Sequence, residues 1–530
     1  HGEHDYDEEG QGTHRYCGTL EGIGTAAAPG ANSLCAYTVE KANPKGEIHN
    51  VCVTADGRLL DGNTGASRAN VFLQPYKKPD GTKSAWAIIG YEESKGVGIP
   101  PDHDGHDCDS EDEDGEDEHD TKYKPDEGKN VIYHSFDWRS PQVVGGGGIL
   151  NLPETDEAGN PVYLVDEFGA PLLDWKGEPQ LAYENARRVR FISQPKSKMG
   201  PSKTVLVALY RQGEEGKGKP ADIFMRRAVA SQPGNPYAFG NFVPGAQNVS
   251  SVEPTVEWPN PFDSDKPVKM LRWTWSPANL EDKSGTNPRI DAKAQRGALN
   301  GDELLIGYSW TPNWGRSAND KYDFYVRRSF NGGQAWTTDP DDLEPIEHEV
   351  TWRVPVIDEA TQTVGWTEEV VSMAFGPGAA EPPRNVSKLR NNRISVLEPR
   401  LVKTPGTIKD LYGNPTGYPE DVRNSDIYQL AYGLEFNQNQ PPDDVEFPKM
   451  PLDIFYSRTR DKGQRYESVV VTPQGGAGRT GEGWNLLAKD QPEQGAAQLR
   501  QTPDGSRMYA IWLEEGEKGS DIIFRRVDYR

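Results

Sequence analysis

Cysteine is scarce in this chain of 530 residues and gathered at one end: Cys17, Cys35, Cys52 and Cys108 are the only four, and none follows position 108. No two of them form a C-x-x-C pair, which excludes a zinc ribbon or a c-type haem site. Four clustered cysteines suit one or two disulfides of a secreted protein, and a first residue that is His1 rather than Met fits a removed signal segment. There is no run of about 18 apolar residues, so no membrane-spanning helix is expected. Positive charge is also short, with 58 Lys and Arg against 82 Asp and Glu, a net −24 that would repel a nucleic-acid backbone. The chain has no H-E-x-x-H, G-x-S-x-G or P-loop motif, which removes the corresponding hydrolase and nucleotide chemistries. Finally, 56 Gly and 42 Pro leave no room for a coiled coil.

What the sequence does contain is a repeat. Segments 222–227, 323–328, 453–458 and 521–526 each open on Asp, run through apolar and aromatic residues and close on Arg, and 130–135 is a degenerate copy opening on Asn130. Upstream of each lies a run of small and aromatic residues, at 86–91, 205–210, 304–308, 428–432 and 508–512. Both runs are rich in β-branched and aromatic side chains and bounded by turn formers, so they are predicted to be the two strands of a hairpin. Further upstream an arginine recurs, at Arg68, Arg188, Arg289, Arg400 and Arg500, spaced 100 to 120 residues apart.

This period predicts tandem units. About 30 residues follow Arg500 and 67 precede Arg68, together one more period, as expected if the N-terminal segment completes the last unit of a closed ring. The fold class expected is therefore all-β, a β-propeller of five long units (six if one unit hides an unmarked blade). Residues 1–66 would complete the last blade, and 67–530 would form the propeller with units starting near 68, 188, 289, 400 and 500. Large loop insertions include an acidic one at 93–129.

Two third strands continue into a glycine turn. Ser-Phe-Asn331-Gly-Gly333-Gln-Ala-Trp336 and Thr-Arg-Asp461-Lys-Gly463-Gln-Arg-Tyr466 resemble the Asp-box, S/T-x-D-x-G-x-x-W, of the sialidase-like (BNR-repeat) propellers. Asn331 or Asp461 would hold backbone N–H groups, Gly333 or Gly463 would take positive φ, and Trp336 or Tyr466 would pack between blades. The pattern of arginine-headed first strands in long units also resembles the secreted "choice-of-anchor" surface propellers. The resemblance implies innermost first strands, and in sialidases an arginine triad for the substrate carboxylate, a Tyr/Glu nucleophile pair and an Asp acid/base. The F/Y-R-I-P signature of that family is absent, its nearest echo being Arg188-Val-Arg-Phe-Ile192. Arg68, Arg188, Arg289, Arg400 and Arg500 then have two readings: ties between blades, or a ring of guanidinium forks for carboxylates and sulfates of acidic sugars.

Half of the net charge sits in one stretch. Residues 102–120 hold twelve carboxylates and no Lys or Arg, inside the predicted hairpin loop of the first unit. Asp102, Asp104, Asp107, Asp109, Asp112, Asp114, Asp117 and Asp120 supply the hard oxygens and the Gly-punctuated turns that Ca²⁺ accepts, although the spacing is not that of an EF-hand. Asn248-Val-Ser250 and Asn385-Val-Ser387 are N-glycosylation sequons. With the catalytic signature missing, the expected function is a secreted, cation-stabilised propeller. It would act as a non-catalytic extracellular or cell-surface structural or binding protein and form homo-oligomers or a larger assembly. The alternative is a sialidase-like glycoside hydrolase or an adhesin that binds an acidic glycan.

Overall fold

The computed structural model describes, with short internal gaps, residues 35–94, 129–213, 221–250, 256–258, 268–270, 291–311, 322–403, 426–436, 453–466, 485–516 and 519–529. The all-β expectation is met: no helix occurs among these residues. Two compact units divide the chain, one of residues 1–75, 84–189 and 214–218, the other of 76–83, 190–213 and 219–530.

In the first unit β1 (Cys35–Ala42), β2 (Ile48–Thr54) and β3 (Leu59–Leu60) pair with one another. The register sets Cys35 opposite Thr54 and Cys52 opposite Thr38, while Cys17 and Cys108 lie outside the described residues. A four-stranded antiparallel meander follows, of β4 (Ala66–Lys77), β5 (Lys83–Ser94), β6 (Lys129–Asp137) and β7 (Val144–Ile149).

The remaining meanders repeat that plan. β8 (Asn185–Ser193), β9 (Thr204–Gly213) and β10 (Asp222–Gln232) carry β11 (Asn235–Phe242) and the short β12 (Gln247–Asn248) on the far side of β10. A small pair, β13 (Val256–Trp258) and β14 (Val268–Met270), precedes β15 (Asp291–Asn300), β16 (Glu303–Thr311) and β17 (Asp323–Ser329). A long hairpin, β18 (Ile346–Asp358) and β19 (Thr363–Phe375), interrupts this sheet before its fourth strand, β20 (Arg384–Asn385). Then come β21 (Ile394–Lys403), β22 (Tyr428–Phe436), β23 (Ile454–Thr459) and β24 (Asn485–Ala488), and last β25 (Gln494–Gln501), β26 (Arg507–Gly516) and β27 (Gly519–Asp528). Each expected hairpin is present: β5 pairs β6, β9 pairs β10, β16 pairs β17, β22 pairs β23 and β26 pairs β27. Successive four-stranded meanders are the blades of a β-propeller-type fold.

The second strands run apolar without a break because both of their faces are covered. From Val205 to Tyr210 every side chain of β9 is buried. In the second unit one apolar layer lies between each pair of successive sheets. Val207, Leu209 and Met225 meet Leu304, Ile306 and Tyr308. On the other face of that second sheet, Leu305, Phe324 and Val326 meet Leu430, Tyr432 and Phe455. Beyond it, Tyr456 and Leu487 meet Leu499, Trp512 and Val527. Alternation along each strand thus feeds two layers at once. On the other face of the last sheet Ile511, Ile522 and Phe524 are exposed among the described residues.

A buried latch joins third and fourth strands. Ser387 Oγ accepts the Phe324 N–H at 2.9 Å and donates to Asp323 Oδ1 at 2.6 Å. Ser250 Oγ accepts the Ile223 N–H at 2.9 Å and donates to Asp222 Oδ1 at 2.6 Å, with Asn248 donating to Asp222 Oδ2 at 2.8 Å. The two sequons are therefore one structural repeat, with both serines buried. Asn151 takes the same place in the first unit, accepting the Val131 N–H at 3.0 Å.

The two glycine turns share one hydrogen-bond plan. Asn331 Oδ1 accepts the N–H groups of Gln334 and Ala335 at 3.0 and 2.8 Å, and Ser329 Oγ accepts that of Gly333 at 2.9 Å. Asp461 and Thr459 do the same for Gln464, Arg465 and Gly463. Trp336 packs on the layer of β9 and β16, and Tyr466 is buried in the layer of β16 and β22. Gly333 has φ +87°, and a Cβ there would sit 2.8 Å from Met225 Cε. Gly333→Ala is expected to lower stability by about 1–3 kcal/mol, read by urea denaturation.

Candidate anion site on the first strands

Three first strands, β15, β21 and β25, carry a bulge at one position. The ladder shifts between Lys293 and Arg296, between Leu397 and Arg400, and between Gly495 and Gln498. The backbone turns left-handed on residues that are not glycine, at two of these bulges, Ala294 (φ 58°) and Glu398 (φ 41°), and in β4 and β8, at Arg68 (φ 54°) and Arg188 (φ 60°). Each such residue stores strain of about 1 kcal/mol or more, and strain kept at one equivalent position in four sheets points to a site.

Two residues beyond the left-handed position stand Asn70, Arg190, Arg296 and Arg400, and Gln498 follows the bulge of β25 in the same way. Three of the five are arginines, and they belong to the second unit. Arg190 is exposed, Arg296 half-buried and Arg400 buried. Lys403, on β21, donates to Ser193 O at 3.2 Å and also to Leu299 O, so a single side chain spans β8, β15 and β21. Arg400 donates through Nη2 to Glu398 Oε2 at 2.5 Å and through Nη1 to Glu398 O at 3.3 Å. Desolvation and then the charge of Arg400 hold Arg190 below the usual guanidinium range, against the pull of Glu398. Arg190 and Arg400 thus feel each other's charge, and Glu398 acts on both.

The expected arginines fall at three different structural positions. Arg68 and Arg188 are the left-handed residues of their strands, and the Arg188 N–H donates to the buried Glu92 Oε1 at 2.6 Å. Arg400 lies two residues past its bulge, and Arg500 two residues further still, donating to Leu499 O at 2.7 Å. Arg289 is outside the described residues. Arg190, Arg296 and Glu398 were missed, although a signal existed: 190, 296, 400 and 498 are spaced 106, 104 and 98 residues apart, more evenly than the run chosen.

The eight aspartates of 102–120 lie outside the described residues, among which no group of three or more His, Cys, Asp or Glu is placed to hold a metal. A Tyr/Glu pair does occur, Tyr428 and Glu303 at 2.5 Å, but Tyr428 is fully buried between sheets, out of reach of a substrate.

No protein-family model and no curated protein matches the chain. Among solved structures it is similar to a levansucrase mutant of B. megaterium, with 10% identity over 93% of this chain and 86% of the other and a TM-score of 0.26. It is also similar to an N-acetylgalactosamine deacetylase from F. plautii in complex with blood group B trisaccharide (11%, 71% and 72%, TM-score 0.23). A third is a Bacillus subtilis levansucrase in complex with oligosaccharides (8%, 72% and 88%, TM-score 0.19). Likenesses this low transfer no residue role and no activity. The expectation of a non-catalytic structural protein is not carried forward, and its glycoside-hydrolase alternative is taken up below as a proposal.

Proposed function

We propose that the chain is a glycoside-hydrolase-like β-propeller that takes an acidic glycan at Arg190, Arg296 and Arg400. One observation carries this reading: the strained left-handed turn that sets three arginines at the same position of successive first strands. Guanidinium forks match the geometry of a sugar carboxylate or sulfate. Glu398, about half exposed beside Arg400, supplies one carboxylate of the pair that glycoside hydrolysis requires.

The test is release of sugar from sialylated and uronic-acid oligosaccharides by the purified protein, alongside their binding. Arg296→Ala and Arg400→Ala are each expected to weaken binding about 10- to 100-fold, the worth of a charge-assisted hydrogen bond. Unchanged affinity in both variants would overturn the site. Binding without sugar release would reduce the chain to a glycan-binding module.

A further inference from the structure

Ser193, Leu299, Lys403 and Gln501 each stand three places beyond the arginine position of their first strands, held by Arg190, Arg296, Arg400 and Gln498. At about 3.3 Å per residue they form a second tier about 10 Å along the strands from the first. Side chains of this tier reach back to earlier sheets. Gln501 leaves β25 and donates through Nε2 to Ile427 O, beside β22, at 3.2 Å and to Val402 O of β21 at 3.5 Å. Lys403 leaves β21 and donates to Leu299 O of β15 and, at 3.2 Å, to Ser193 O of β8.

Gln501 thus joins two neighbouring sheets, whereas Lys403 joins three. β8 and β21 belong to sheets with that of β15 between them in chain order, yet their backbones converge on one ammonium. An ammonium has three donors and no acceptor, so it can hold converging carbonyls that an apolar side chain would leave unjoined. Bonds from a charged donor are also the stronger kind. Both acceptors are backbone atoms, which cannot swing away as a side chain can, so the reach of Lys403 fixes the distance between the strands that it joins.

We propose that Lys403 is the positioning residue of the anion site: by pinning Ser193 O and Leu299 O to β21, it sets how far apart Arg190, Arg296 and Arg400 stand. Each arginine is three residues from the pinned point of its own strand, which leaves little chain over which the spacing could drift. The role rests on the arginine site proposed above. Guanidinium groups held at one spacing bind without first having to be ordered, and that pre-organisation is what Lys403 contributes.

Hydrogen exchange of the full chain and calorimetric titration with sialyllactose test this in the parent, Lys403→Met and Lys403→Arg. Without sugar, Lys403→Met is expected to speed amide exchange in β8 and β15 about tenfold, the worth of one charge-assisted hydrogen bond, while β26 and β27 exchange as in the parent. Unchanged exchange in β8 and β15 would overturn the clamp whether or not the arginines take a glycan. With sugar, Lys403→Met should bind about tenfold more weakly than the parent. Lys403→Arg keeps the charge and the donors and should recover most of that loss. Equal affinity in the parent and Lys403→Met would overturn the positioning role and leave the arginine site standing. A parent that binds sialyllactose no better than lactose would overturn the arginine site itself, and the role of Lys403 with it. Should Lys403→Met not fold, Lys403→Gln takes its place with the same expected results.

Discussion

Glu381→Ala is expected to destabilise the chain by about 3–5 kcal/mol, the largest effect of any single substitution considered. Arg328 donates through Nε and Nη2 to the two oxygens of Glu381, both at 2.8 Å, and both side chains are buried. The guanidinium also donates to Lys462 O at 3.3 Å, tying β17 to the glycine turn of the next sheet. The carboxylate holds Arg328 above the ordinary guanidinium range despite burial. Truncating Glu381 therefore leaves a cation stranded, which costs more than the ion pair itself contributes. The double variant Arg328→Met/Glu381→Leu removes both charges and is expected to recover most of the loss. Urea melts of the three variants check this, and a double variant as unstable as Glu381→Ala would show that packing rather than charge carries the effect.

Asp323→Ala is expected to cost about 2–4 kcal/mol. Its Oδ1 accepts the Ser387 hydroxyl at 2.6 Å and the Leu389 N–H at 2.8 Å, and all three groups are buried. Removing the carboxylate strands the Leu389 N–H and leaves the Ser387 hydroxyl only the longer bond to Asn385 Oδ1 at 3.2 Å. Ser387→Ala should cost less, about 1–2 kcal/mol, since it strands the Phe324 N–H while Asp323 keeps Leu389. The two losses should not add, because the residues share one network. Equilibrium unfolding of both single variants and the double gives the coupling, and strict additivity would refute the latch.

The strand pairs were legible because their residues announce them. Val205 to Tyr210 and Leu304 to Tyr308 are buried on both faces, and only a continuous apolar run can fill two layers. The aspartates that open the third strands were legible as a repeat, but their purpose was not. Asp222 and Asp323 serve fourth strands of two residues, β12 and β20, and a strand so short has no periodicity to read. Asn-Val-Ser consequently read as a sequon, although both copies spend their serine inside a latch. The recurring arginines do not share one structural position. Counting from Arg188 to Arg400 compares a left-handed residue with one two places beyond the left-handed Glu398. The hairpin of β18 and β19 carries no mark of the repeat, because Val, Thr and Glu alternate there around a Pro.

Titration calorimetry with one acidic oligosaccharide and its carboxyl-reduced counterpart addresses the central claim most directly. If Arg190, Arg296 and Arg400 seat the anionic group, the acid form binds and the reduced form binds at least about tenfold more weakly, with the difference shrinking as salt is raised. Equal affinity for the two forms, or a preference for the reduced sugar, would contradict the arginine site.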